Sequence, residues 1–176
     1  MKTTRKYQTP TVDKNSLYVA PMEEFMPLIK ETLSEGRTVN FYPRGISMLP
    51  MLRQGVDSVV LAPVTAKLKK YDIPLYVREN GHYILHRIVK VGKEEYVCIG
   101  DNQFEKEYGV GADSVIGVVS EFVRNGKKHS VNELGYKTYC RIWHYSRPIR
   151  HAYRRLRCFA GRVLRYIKAK LKNKRR

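Results

Sequence analysis

Along the chain the spacing of hydrophobic positions changes twice, from helical to alternating and back. Between Pro21 and Gly36, Met22, Phe25, Met26, Ile29 and Leu33 recur every three or four residues, with acids early and a glycine at the end. That spacing predicts a short amphipathic helix, despite Pro27. From Thr38 to Val123 the runs TVNFY, DSVVLAPV, IPLYVR, HYILHRIVKV, EYVCIG and SVIGVVSEFVR are short, apolar or alternating. They predict β-strands punctuated by turns at Glu79-Asn80-Gly81, Val91-Gly92-Lys93 and Arg124-Asn125-Gly126, where Asn and Gly accept positive φ at low cost. Beyond Tyr136 the helical period returns. From Ile149 to Leu171 an apolar stripe faces Arg150, Arg154, Arg155, Arg157, Arg162, Arg165, Lys168 and Lys172, with Gly161 a candidate break.

These elements predict a mainly β protein, a barrel or folded sheets carrying a short N-terminal helix and a basic C-terminal amphipathic helix. Three divisions follow: a polar leader and helix over 1–36, a β domain over 37–126, and a basic helical tail over 127–176. Within the first, residues 1–16 carry no period and are expected to be loose. A chain of 176 residues fits one core of ordinary size plus an accessory segment.

Charge sharpens the picture of the tail. The formal net charge is +18, yet residues 1–140 hold 20 Lys/Arg against 16 Asp/Glu, whereas residues 141–176 hold 14 Lys/Arg and no acid. Such a segment seeks an anionic surface, either lipid head groups or nucleic-acid phosphate, or else solvates its charges while the stripe packs on the β body. Cys98, Cys140 and Cys158 are odd in number and lack CxxC spacing, so neither a disulfide framework nor a zinc site is expected, and no cofactor is called for. No apolar core of about 7 to 15 residues follows the basic start, and no run of about 18 apolar residues occurs. The expected location is therefore peripheral on a membrane or cytoplasmic.

Candidate chemistry lies in three places. In FYPRGISMLPMLRQG, Ser47 is a small hydroxylated residue between Gly45 and Pro50, a turn residue by default but also a setting in which an exposed hydroxyl can attack a carbonyl. In YILHRIVKV, His86 interrupts an apolar strand. Its imidazole, with an ordinary pKa of about 6.5, is able to take a proton near neutral pH. In IGDNQFEKEYG, a polar turn supplies Asp101, Glu105 and Glu107, any of which is able to orient an imidazole.

Taken in order, Ser-Met-x-Pro, His-Arg and Gly-Asp-Asn carry a family likeness. The segment from Phe41 to Val119 resembles the signal peptidase I superfamily of serine peptidases, which includes LexA-type self-cleaving repressors. The likeness is greatest to the branch that uses histidine as base, found in endoplasmic reticulum, archaeal and some Gram-positive signal peptidases. The resemblance implies a serine endopeptidase that cleaves leader peptides after small residues. Ser47 would be nucleophile, His86 base, and Asp101 or Glu107 the acid that orients it. The substrate strand would lie near Gly45, Ile46 and Met48, and the oxyanion donors would be the N–H of Ser47 and a neighbour among residues 44–46. The chain departs from the family pattern at Val56, inserted between Gly55 and Asp57, and in offering Glu107 where relatives have Asp.

Other classes remain open on the sequence. One is a LexA-like DNA-associated regulator, against which stand the His base, the lack of a helix-turn-helix ahead of the segment, and the absence of an Ala-Gly cleavage site before Ser47. Another is a non-catalytic module that keeps the fold alone. Expected partners are a peptide or preprotein and an anionic membrane touched by the C-terminal helix, with nucleic acid the less favoured surface.

Overall fold

The computed structural model describes residues 22–173; the leader expected over residues 1–16 lies outside them. Helix α1, Met22–Ser34, forms as its spacing predicts and includes Pro27. It buries Met26, Ile29 and Leu33, one side of the helix, while Phe25 stays exposed.

Strands β1 (Val39–Phe41), β2 (Ser58–Ala62), β3 (Pro74–Val77) and β4 (Tyr83–Leu85) join the long β8 (Val115–Arg124) and β9 (Lys127–Ser130) in one antiparallel sheet. Its order is β1-β2-β8-β3-β4, with β9 paired to β8. A second antiparallel sheet holds β5 (Arg87–Val91), β6 (Glu95–Ile99) and β7 (Glu107–Gly111) in that order. The run HYILHRIVKV, read from sequence as one strand, is divided between the two sheets, and His86 is the single residue between β4 and β5. This crossing places the histidine at the seam.

Of the two expected forms, a barrel or folded sheets, the structure takes the second, with more helix than a mainly β protein implies. The described residues form two antiparallel sheets and three α-helices in comparable amounts, and the sheets do not close into a barrel. Helices take the place of closing strands: Met26, Ile29 and Leu33 of α1 and Tyr136 and Cys140 of α2 (Leu134–Tyr145) pack with Val59, Leu61, Leu75 and Val119 in the larger core. A smaller cluster of Tyr76, Ile88, Tyr96, Cys98 and Val110 joins the two sheets.

β7 and β9 escaped the sequence reading because their signal is thin. β7 buries only Val110 and exposes Tyr108, and β9 is the polar run KKHS. Both lie at sheet edges, where backbone pairing needs little apolar pattern. At the β8–β9 turn Asn125 and Gly126 both take positive φ, at 51° and 74°, the conformation that a two-residue hairpin of this hand requires. β9 and α2, which follow residue 126, are thus part of the folded body. Helix α3, Arg147–Asn173, begins after Ser146 and runs through Gly161 without a break. No described helix is long and apolar enough to cross a membrane.

Candidate active site

The turn that carries Ser47 is built locally. Gly45 has φ +89°, a left-handed conformation that side-chain-bearing residues avoid, and its N–H donates to Gln54 Oε1 at 3.1 Å. The N–H of Leu49 donates to the Ile46 carbonyl (3.3 Å) and that of Leu52 to the Met48 carbonyl (3.0 Å), coiling the chain over residues 46–52. Asp57 then clasps the loop: its buried carboxylate accepts from Arg53 N (2.8 Å), Nε (2.9 Å) and a terminal guanidinium nitrogen (2.7 Å). The Arg53 hydrogen bonds outweigh burial and hold the Asp57 carboxyl below its ordinary range. Ser47 is left half-buried, Ile46 exposed, and Met48 anchored in the core.

The Gly-Asp-Asn box docks directly onto this turn. Asn102 N–H donates to the Ser47 carbonyl at 2.8 Å, and Asn102 Nδ2 reaches the Ile46 carbonyl at 3.2 Å. A Cβ on Gly100 would sit 2.6 Å from the Ser47 carbonyl oxygen, closer than any real contact, so only glycine lets the two backbones meet. Gly100→Ala is therefore expected to push the Ser47 turn away, lowering stability by about 1–3 kcal/mol. A thermal melt measures this loss, and the same shift should lower any activity that depends on Ser47.

Consecutive residues at the sheet crossing point to opposite sides, as extended backbone requires. Arg87 turns inward and is almost wholly buried, as is Asp101. Arg87 Nε and a terminal nitrogen bind the two Asp101 carboxylate oxygens at 2.8 and 2.7 Å. The remaining guanidinium nitrogen donates to Tyr136 Oη at 2.7 Å and meets Cys140 Sγ at 3.0 Å. The Asp101 backbone carbonyl accepts from Trp143 Nε1 at 2.9 Å. Asp101 thus ties β5, the β6–β7 loop and α2 together, and its carboxylate is committed to Arg87.

His86 turns the other way, to a different acid. Its Nδ1 lies 3.4 Å from Glu107 Oε2 and 3.3 Å from Tyr76 Oη. Tyr76 donates to Glu107 Oε2 at 2.7 Å, and Arg78 forks onto the same carboxylate at 2.5 and 2.8 Å. Since Tyr76 spends its proton on the carboxylate, both groups facing Nδ1 are acceptors, and Nδ1 carries the ring proton in the neutral imidazole. Nε2 then bears the free lone pair. Burial lowers the His86 pKa, against the opposing pull of the Glu107 charge. Burial raises the Glu107 pKa, but hydrogen bonds from Arg78 and Tyr76 outweigh it and hold the carboxyl below its ordinary value. At neutral pH the arrangement is a neutral imidazole backed by a carboxylate.

Ser47 and His86 border one small cavity of about 80 Å³, walled also by Met48, Leu52, Ile84 and Leu85. Gly45 and Ser47 also border an open cleft of about 730 Å³ that continues past Ile46, Asn102, Phe104 and Glu107 to Arg154. Ser47 therefore stands where a wide, solvent-facing groove meets a narrow recess holding the imidazole. No hydrogen bond joins the two side chains; what they share is the lining of this recess. Among the residues flagged by sequence, Ser47, His86 and Glu107 gather around this junction with Gly45 and Ile46, Met48 contributes a wall, and Asp101 holds the scaffold behind it. Glu105 lines the wide cleft.

Sequence reasoning passed over Tyr76 and Arg78. The signal was present in IPLYVR, because residues two apart on a strand share a face, and a tyrosine and an arginine on one face form a ready clamp for a carboxylate. The chain matches no family model, no curated protein and no solved structure. Among the described residues no group of His, Cys, Asp and Glu is arranged to hold a metal ion.

Proposed function

We propose that the protein is a serine endopeptidase acting through Ser47, His86 and Glu107 on leader-type peptides with small residues before the cleaved bond. The observation that carries the reading is the shared recess: Ser47 and His86 line one cavity, and Nδ1 of that imidazole is held by a clamped carboxylate, which leaves Nε2 free. His86 Nε2 takes the Ser47 proton as Oγ attacks the scissile carbonyl, then returns it to the departing amine. Water resolves the acyl-enzyme with the same base. Glu107 orients the ring and offsets the charge that grows on it. The open cleft beside Ser47 falls within the usual size of a ligand site and gives an extended peptide room to lie. Because the Gly45 N–H is taken by Gln54, oxyanion stabilisation falls to other donors of the turn, with the Ser47 N–H the first choice.

The pH profile tests the assignment of base and acid. His86 must be neutral to accept a proton, and burial lowers its pKa, so kcat/KM on an Ala-x-Ala peptide should hold its plateau down to below about pH 6.5 before falling. Glu107→Gln removes a charge that favours the imidazolium, which lowers the His86 pKa further. The acid limb should therefore move to lower pH while the plateau drops. A limb that moves upward, or a plateau that does not change, would remove Glu107 from the site.

A further inference from the structure

We infer that α3 is a surface-binding helix whose partner is an anionic lipid bilayer, and that it holds the Ser47 cleft beside that surface. The inference stands apart from the peptidase reading, because it rests on a different element. Ile149, Tyr153, Leu156, Phe159 and Leu164 are each 59–72% exposed, although they form the apolar stripe of a 27-residue helix. With about 100° between successive residues, Ile149, Tyr153, Leu156 and Leu164 share one side and Phe159 flanks it. The residues that touch the body lie on the other side. Arg150 stacks 3.5 Å over Trp143, His151 packs on Phe104 at 4.5 Å, and Arg154 lies 5.4 Å over the same ring. The helix is thus clamped by its polar flank and turns its apolar stripe outward, the reverse of a helix that packs on its own domain.

Charge selects the occupant. Within α3 every ionised side chain is Lys or Arg, with no acid to offset them. A second copy of this chain would bring the same positive charge to the interface and repel. Nucleic acid would satisfy the arginines and leave the large apolar side chains in water. An anionic bilayer answers both faces, since head groups meet the flanking cations and the acyl boundary receives the stripe. Phe104 and Arg154 also line the cleft next to Ser47, so a surface held by α3 adjoins the groove. Peptides leaving or lying on a membrane would be presented there.

The test uses the full chain and sedimentation with vesicles of phosphatidylcholine and phosphatidylglycerol at 70:30, with pure phosphatidylcholine as the neutral arm. The wild type should bind the anionic vesicles at least tenfold more tightly than the neutral ones. Ile149→Gln with Leu156→Gln should cut binding by roughly tenfold or more, because each large apolar side chain contributes on that scale when buried. Both positions are exposed, so an unchanged thermal melt is expected and checks that the variant is folded; Ile149→Leu with Leu156→Met should retain binding. Vesicle binding indifferent to the stripe would overturn the inference in favour of charge alone. Binding to duplex DNA without binding to vesicles would overturn it in favour of nucleic acid, and a dimer that dissociates in the stripe variant, again without vesicle binding, in favour of a second copy.

Discussion

Replacing Arg87 with methionine should cost about 3–5 kcal/mol of folding stability, the usual penalty for stranding one member of a buried ion pair. Asp101 would keep a buried carboxylate with both oxygens stripped of their guanidinium partners, now bonded at 2.8 and 2.7 Å. Tyr136 and Cys140 would lose the same group. A domain's whole stability is only about 5–15 kcal/mol, so the change consumes a large share of it. For a chain of this size the melting midpoint should fall by roughly 10 °C, measured by circular dichroism. Arg87→Met combined with Asp101→Leu should recover much of the loss, since matched apolar groups replace the pair without leaving a bare charge. If the single variant melts within a degree or two of the wild type, Arg87 and Asp101 are not the joint between the second sheet and α2.

The second large effect concerns rate. His86→Ala should lower kcat on an Ala-x-Ala peptide by about 10²- to 10⁴-fold, the range that a positioned general base contributes. This corresponds to about 3–5 kcal/mol of barrier. Stability should suffer far less than in the Arg87 variant, because His86 interacts near the cleft through one ring nitrogen while Arg87 is bonded on every side. Neighbouring residues would thus separate: one variant active in its folded fraction but easily melted, the other folded but inert. That contrast follows from extended backbone, which sends His86 and Arg87 to opposite sides.

The same alternation explains what the sequence could and could not reveal. The three short motifs mark the residues that gather around the recess: Ser47 on its glycine-preceded turn, His86 at the break between β4 and β5, and an acidic loop after β6. Choosing between Asp101 and Glu107 required the pairing of β6 with both neighbours, which sets Arg87 opposite Ile99 and Glu107 opposite Cys98. Those registers are long-range, and no local pattern encodes them. The outward-facing stripe of α3 was equally hidden, since an amphipathic period reads the same whether the apolar side meets the protein core or something else. By contrast, α1 and the strands through β6 carried their own periodicity. Between a barrel and folded sheets the sequence could not choose, because it does not tell which helices will cover the sheets; α1 and α2 pack on the larger core, and the sheets stay open.

The central claim is that the hydroxyl of Ser47 becomes covalently acylated while His86 serves as its base. The most direct measurement is intact-mass and peptide mapping of protein quenched in acid during turnover of an activated Ala-x-Ala ester, run beside Ser47→Ala. The account predicts a substrate-derived acyl mass on the peptide containing Ser47 in the wild type, and neither acylation nor turnover in the variant. Acyl mass on another residue, or turnover undiminished by Ser47→Ala, would contradict it.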